Sequence, residues 1–325
     1  MRKNRGIRTT VRLNIETADE DRDTFSIANA SSIIDSKTRR CLSIAGSDCS
    51  GGAGIQADLK TFASFGCYGM TVVTAVTAQN SVGVADTFAI PPDVIIAQLS
   101  SIFSDALPTS IKVGMLFSEE IVSAVSEFLK KNAHGIPIVV DPVMVAKSGH
   151  FLLAPKATIA LKNELIPLAT IVTPNLCEAA ALVGIEDIRF SDQRELENYA
   201  KSILSLGAKS VFLKGGHSAN ETNSDDFFID SVGNSVWMNA ARITSKNTHG
   251  TGCTLSSAIA ASIASGHSVT EACSNAKNYV LKAIDSARSS TVWKGHGPVD
   301  HFFWMSRTTT SSSRRSLSQA SKTNR

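Results

Sequence analysis

Short apolar, β-branched runs alternate along the chain with longer segments whose apolar positions recur every three to four residues. The runs Cys41–Ala45 (CLSIA), Met70–Ala78 (MTVVTAVTA), Ile111–Leu116 (IKVGML), Ile136–Met144 (IPIVVDPVM), Ala169–Asn175 (ATIVTPN) and Lys209–Gly216 (KSVFLKGG) read as buried strands. Between them the spacing predicts helices over Gly52–Phe65, Pro91–Asp105, Ser118–Lys131 and Asp192–Gly207, with a final pair at Thr251–Ala264 and Val269–Ala287. In the third, Ile121, Val122, Val125, Phe128 and Leu129 form one apolar face. Pro91 and Pro92 suit the first turn of the second. Ser268 and Glu271 form a capping box ahead of the last helix. Asp225–Asp230 (DDFFID) and Ser235–Ala240 (SVWMNA) read as an antiparallel hairpin at a sheet edge. There is no internal repeat.

Alternation of this kind implies an α/β fold with a mostly parallel central sheet and helices on both faces. Ligands of such sheets bind beyond the carboxyl ends of the strands. The chemically suggestive residues fall there: Gly46–Gly54, Gln79 and Asn80, Gly114 and Met115, Asp141, Asn175, and Lys214–His217.

At 325 residues, 43% hydrophobic and 19% charged, the chain can bury a sizeable core. Its net charge of +3 comes largely from the two ends, and no basic stripe interleaved with aromatics suggests nucleic acid. Apolar runs reach about ten residues, too short to span a bilayer. Five arginines and lysines in residues 1–15 faintly resemble a mitochondrial presequence, but Glu16, Asp19, Glu20, Asp21 and Asp23 follow directly. Residues 1–39 therefore read as a disordered extension, 40–305 as the folded domain and 306–325 as a disordered Ser/Thr/Arg-rich tail, with the cytoplasm as the expected compartment. Six cysteines without a CxxC pair fit a reduced setting, in which Cys41, Cys67, Cys177 and Cys273 act structurally.

Three stretches carry candidate chemistry. In GSDCSGGAGIQAD, Gly52, Gly54 and Ala57 satisfy the letters of a dinucleotide fingerprint, but no acidic residue lies between Leu59 and Ala85 to hold a ribose. That reading fails, and a glycine-rich helix entry with several polar groups is left. In NTHGTGCTLSSAIA, Gly250 and Gly252 free the backbone N–H groups to converge at a helix start, which makes an anion site. Thr251 lies between them. It is not a Walker A loop, since no Gly-Lys-Ser/Thr follows. Cys253 sits at the mouth of that helix, where a thiol is expected to have a lowered pKa and to hold the thiolate. Leu255, Ile259 and Ile263 give the helix a buried stripe. Asn175 and Glu178, three apart where a helix begins, suit water-mediated Mg²⁺ binding, although capping explains the same residues. Asp141 adds a second carboxylate, and Lys214 a cation suited to phosphate oxygens. His217, His249 and His296 match no zinc spacing.

Read together, SIAGSDCSGGAGIQADLKTF, VTAQNSVGV, IKVGML, VVDPVMVAKSG, TPNLCEAAAL, LKGGH and THGTGCTLSSAIA resemble, in order, the motifs of phosphomethylpyrimidine kinases. The resemblance covers about residues 41–304. It implies a ribokinase-like three-layer αβα sandwich, ATP and Mg²⁺ as cofactors, and a homodimer. The implied activity is phosphorylation of 4-amino-5-hydroxymethyl-2-methylpyrimidine and then of its monophosphate, in thiamine biosynthesis. By resemblance, Gln79 hydrogen-bonds the pyrimidine, and Gly46, Asp58, Thr77, Met115 and Val143 line its pocket. Asp141, Asn175 and Glu178 form the Mg²⁺-water and phosphate edge, Lys214 faces phosphate, and Gly250–Gly252 form the anion hole with Cys253 beside it. Cys49 replaces a proline often found in the glycine loop, and Thr77 stands where the family often has valine. Two other readings remain: a pyridoxal kinase on the same scaffold, and a non-catalytic relative that kept the fold.

Overall fold

The computed structural model describes residues 8–12, 38–144, 155–185, 193–216 and 222–305. His217, the tail after Met305, most of residues 1–39 and the second half of the VVDPVMVAKSG motif lie outside them. A ten-stranded sheet runs through the molecule in the order β1-β10-β9-β8-β7-β6-β5-β2-β3-β4. The parallel centre consists of β8 (Ser210–Leu213), β7 (Ile171–Val172), β6 (Ile138–Val140), β5 (Ser110–Val113), β2 (Arg40–Asp48) and β3 (Tyr68–Gln79). Strands β5 to β8 and most of β2 are buried on both sides, because both faces are covered. Leu42 and Ile44 enter one core with Val140, Val172, Val211 and Leu213, whereas Cys41 enters the other with Val139, Ile171 and Phe212.

The first core is covered by α2 (Pro92–Asp105), α3 (Glu119–Asn132), α4 (Pro155–Ala160), α5 (Leu176–Val183) and α6 (Gln193–Leu204). The second is covered by α1 (Gly54–Ser64), α7 (Thr251–Ala264) and α8 (Val269–Ala287). The face of α3 built by Ile121, Val122, Val125 and Leu129 is buried as its spacing predicts, with Phe128 packed against it. Both capping boxes form: Ser268 with Glu271, and Asn175 with Glu178. The expected hairpin is β9 (Asp226–Asp230) paired antiparallel with β10 (Ser235–Asn239).

Three elements were not predicted. The antiparallel edge strand β4 (Val84–Ala89) pairs with β3, and α4 runs on through a π turn (Leu161–Leu165) into a 3₁₀ turn (Ile166–Leu168). At Arg8–Arg12, within the N-terminal extension, β1 adds a parallel strand beside β10. RTTVR has the β-branched content to extend an open edge. No helix among the described residues is long and apolar enough to cross a membrane.

Candidate active site

A cavity of about 680 Å³ opens at the carboxyl ends of β2, β3, β5, β6 and β8 and against the start of α7. It brings together Gly46, Thr77, Gln79, Met115, Val143, Asp141, Asn175, Glu178, Lys214 and Gly250–Cys253. The remaining predicted residue, Asp58, is not on its wall. Asp58 lies one turn into α1, fully buried, and accepts hydrogen bonds from Lys112, Ser43 and Ser257. The sequence marks it as a polar residue near a glycine loop, but the helix turns its carboxylate inward to neutralise a buried lysine.

The mouth of α7 is set by backbone fit. Gly250 caps the helix with φ 78°, and a Cβ there would meet the Gly52 carbonyl oxygen at 1.8 Å. Only glycine meets both demands. The glycine loop before α1 and the turn before α7 are thus interlocked, and the first N–H groups of α7 face the cavity without a side-chain cap. Such a helix start favours an anion.

Beneath this mouth lie two buried Lys–Asp pairs. Lys112 Nζ is 2.8 and 3.0 Å from the two Asp58 oxygens, and both side chains are fully buried. Lys214 Nζ is 2.8 Å from Asp141 Oδ1. Successive serines of α7 tie the helix to both pairs: Ser257 donates to Asp58 at 2.7 Å, and Ser256 Oγ lies 3.3 Å from Asp141 Oδ2. Burial works against each ammonium, but the adjacent carboxylates outweigh it and raise both lysine pKa values. Burial likewise opposes the Asp141 carboxylate, while Lys214 and Lys112 hold its pKa down. Lys112, Lys214 and Asp141 are therefore charged at neutral pH. Lys112 was not singled out from the sequence, although a lysine inside the buried strand IKVGML is itself a signal, since a charge there needs a partner.

Cys253 departs from expectation. Burial pushes its thiol up to about 11; the Lys112 ammonium pulls the other way, and Asp58 and Asp141 add to the rise. The helix start and the Gly54 N–H are too weak to offset desolvation. At rest Cys253 is a neutral thiol, and a base role requires further positive charge in the cavity.

Asn175 and Glu178 cap α5. Asn175 Oδ1 accepts from the Glu178 N–H at 2.9 Å, and Glu178 Oε2 accepts from the Asn175 N–H at 2.7 Å. Lys214 lies 3.7 Å from the same carboxylate. Burial raises the Glu178 pKa to about 7, with Asp141 repulsion adding and Lys214 opposing. No cluster of three or more metal-ligating side chains occurs among the described residues. Two hard carboxylates beside an anion site, one held partly neutral by burial, fit a Mg²⁺ bound through water and phosphate oxygens rather than in an all-protein cage.

At the opposite end, Gln79 stands between Thr77 and His249, and His249 Nε2 is 2.8 Å from Asp48 Oδ2. At Gly46 a Cβ would lie 3.2 Å from Met115 Sδ, a tight contact that Met115 would have to yield to. Beyond Lys214 the cavity continues along Arg242 and Ile243 to the α8 face of Val280, Leu281 and Ile284. Lys277 of α8 ion-pairs with Asp226 at 2.7 Å and also bonds the Ser224 carbonyl. This end was missed, because helical periodicity does not say which face of α8 meets a cavity and which meets the sheet.

Comparison with known proteins identifies the fold and the family. A Staphylococcus aureus pyridoxal kinase in complex with ADP superposes with a TM-score of 0.74 at 36% identity, covering 82% of this chain and 94% of that one. The fold is thus the ribokinase-like αβα sandwich. The phosphomethylpyrimidine kinase of Clostridium difficile 630 superposes with a TM-score of 0.65 at 42% identity, over 75% of this chain and 99% of its own. The hydroxymethylpyrimidine/phosphomethylpyrimidine kinase of Rhizobium meliloti (strain 1021) is 46% identical over 265 residues, 82% of this chain and 97% of the relative. The phosphomethylpyrimidine kinase family model matches residues 48–300. The chain belongs to the phosphomethylpyrimidine kinase family.

Proposed function

We propose that this protein uses ATP to phosphorylate 4-amino-5-hydroxymethyl-2-methylpyrimidine and then its monophosphate, giving the diphosphate for thiamine biosynthesis. The observation that carries the reading is the serial arrangement of one cavity. The strand order places Gln79 at the end of β3 on one side and Lys214 after β8 on the other, with Asp141 after β6 between them, and the α7 mouth and the apolar α8 residues Val280, Leu281 and Ile284 line the same cavity. The Gln79 side suits a small heteroaromatic ring, and the apolar α8 residues suit a nucleotide base.

In this reading Gln79 hydrogen-bonds the ring and Gly46, Thr77, Met115 and Val143 enclose it, with the hydroxymethyl group directed at the α7 mouth. Lys214, pinned by Asp141, offers fixed positive charge to the phosphoryl oxygens. The N–H groups of Gly250–Cys253 take up the charge that develops on them. Phosphoryl transfer has a loose transition state, so positioning and charge dominate and a base has little early work. Asp141, Asn175 and Glu178 would hold Mg²⁺ through water, and the bound ion would neutralise the nucleotide phosphates. The neutral Cys253 thiol repels an incoming monophosphate less than a carboxylate would, which lets one pocket take both acceptors.

Homodimerisation is supported by β3 and β4, where Val76 and Phe88 pair across the strands yet are 46% and 68% exposed. The cytoplasm is the compartment we assign. Likeness to pyridoxal kinases favours pyridoxal as a second, poorer acceptor. Phosphorus NMR of a reaction with ATP and the pyrimidine alcohol tests the function. Monophosphate followed by diphosphate is expected; ATP left intact would refute it.

A further inference from the structure

The amide of Gln79 has a neighbour at each end, and their polarity decides which end is which. Asp48 accepts from the Ser50 and Ala53 N–H groups and from the Ser50 hydroxyl, at 2.8–2.9 Å. Burial disfavours its charge, but the bonds from His249, Ser50 and Ala53 outweigh burial and hold its pKa low. An ionised carboxylate only accepts. His249 Nε2, 2.8 Å from Asp48 Oδ2, therefore carries a proton. On the other side, Thr77 Oγ1 lies 2.9 Å from the Ser47 carbonyl oxygen, which also only accepts. The single hydroxyl proton of Thr77 is committed there.

Gln79 spans these two fixed groups, with Oε1 3.2 Å from Thr77 Oγ1 and Nε2 3.5 Å from His249 Nε2. That orientation sets acceptor against acceptor and donor against donor. The ends of a glutamine amide have the same shape and are told apart only by their hydrogen bonds. A half-turn of the amide satisfies both contacts at once. Nε2 then donates to the Thr77 lone pair, and Oε1 lies 3.5 Å from the His249 N–H as a second, weaker acceptor beside Asp48.

We propose that Thr77 and the Asp48–His249 pair are specificity-determining residues, which fix the Gln79 amide with its N–H end toward Thr77 and its carbonyl toward His249. The remaining N–H and lone pair of the amide then meet a ring edge that carries an acceptor beside a donor, in one sense only. A 4-aminopyrimidine has this edge, a ring nitrogen next to an exocyclic amine. Its 4-oxo analogue inverts the edge, with a ring N–H next to a carbonyl. The hydroxymethyl group, committed to the α7 mouth, prevents the ring from turning over to compensate. A freely rotating amide would serve both rings, whereas a fixed one serves the first. The inference rests on the reading that Gln79 contacts the pyrimidine.

The test compares kcat/KM for 5-hydroxymethyl-2-methyl-4-aminopyrimidine and its 4-oxo analogue in the wild type, Thr77→Val, Asp48→Asn and the double variant, with Gln79→Leu alongside. Thr77→Val is nearly isosteric and deletes the lone pair. Asp48→Asn removes the carboxylate charge that holds the proton on His249 Nε2. The wild type should favour the amine by about 10²-fold or more, since a site built for one hydrogen-bond pattern rejects its inverse. Each single variant should lower that ratio, and the double variant should bring it below about tenfold. A purely structural role would lower both substrates in parallel. An unchanged ratio in the double variant, while Gln79→Leu raises KM for the amine, overturns the orientation lock and leaves the Gln79 contact standing. No change of KM in Gln79→Leu overturns the contact, and the lock with it.

Discussion

Replacing Cys253 by aspartate puts a full charge where the structure holds a neutral thiol, and it separates the two acceptors of the proposed reaction. The thiol titrates at about 11 and is protonated at neutral pH. An aspartate in its place would be anionic, steadied by the helix start and by Lys112. The alcohol acceptor is neutral and meets no repulsion from it. The monophosphate carries about −1.5 to −2 at pH 7. At a separation of roughly 5 Å and an effective dielectric of about 20, each unit of that charge is opposed by about 3 kcal/mol. The Lys112 ammonium, already close enough to act on Cys253, offsets part of this. A net penalty of about 3 kcal/mol corresponds to about 10²-fold in kcat/KM. Coupled ADP-release assays with each acceptor should therefore show Cys253→Asp losing about 10²-fold on the monophosphate and no more than about tenfold on the alcohol. Equal losses on both would refute the charge argument.

Further consequences follow from the same geometry. In the unliganded protein at pH 7.5, iodoacetamide should label the exposed Cys49 and Cys177 before Cys253, as read by peptide mass spectrometry; Cys253 labelling first would show it to be a thiolate. Lys214→Met leaves Asp141 and Glu178 sharing a buried site with no lysine between them. It should cut kcat by roughly 10²–10³ with the pyrimidine KM little changed, and near-normal kcat would remove Lys214 from the phosphoryl path. Glu178 has a folded pKa of about 7, above its ordinary value of 4.5, so the folded state binds more protons between those limits. Stability should then fall as pH rises from about 4.5 to 7, by at most roughly 3 kcal/mol. Thermal melts of Glu178→Gln should lose that slope relative to wild type, and an unaltered slope would contradict the assignment.

The sheet was legible because strands covered on both faces are short and mostly apolar, as in CLSIA and SVFL. The α7 mouth was legible because paired glycines before a helix have few other uses. β4 escaped because an edge strand with Phe88 facing out and Thr87 partly covered shows no inward apolar stripe. Asp58 was placed on the pocket wall by family resemblance, whereas Asn175, placed by its spacing to Glu178 and by resemblance, does line the cavity. The fold spends the first on Lys112 and the side chain of the second on a helix cap. The ionisation of Cys253 was misjudged for a related reason: a helix start is visible in sequence, but desolvation depends on what packs above it. Lys112 and Lys277 mark the same limit, since their partners Asp58 and Asp226 lie 54 and 51 residues away along the chain.

The central claim is that one cavity phosphorylates a pyrimidine alcohol and then its monophosphate. Its most direct test is a side-by-side determination of kcat/KM, with ATP and Mg²⁺, for 4-amino-5-hydroxymethyl-2-methylpyrimidine, its monophosphate and pyridoxal. The account predicts turnover of both pyrimidines, with pyridoxal the poorest acceptor. Pyridoxal as the preferred acceptor, or no turnover of the monophosphate, would contradict it.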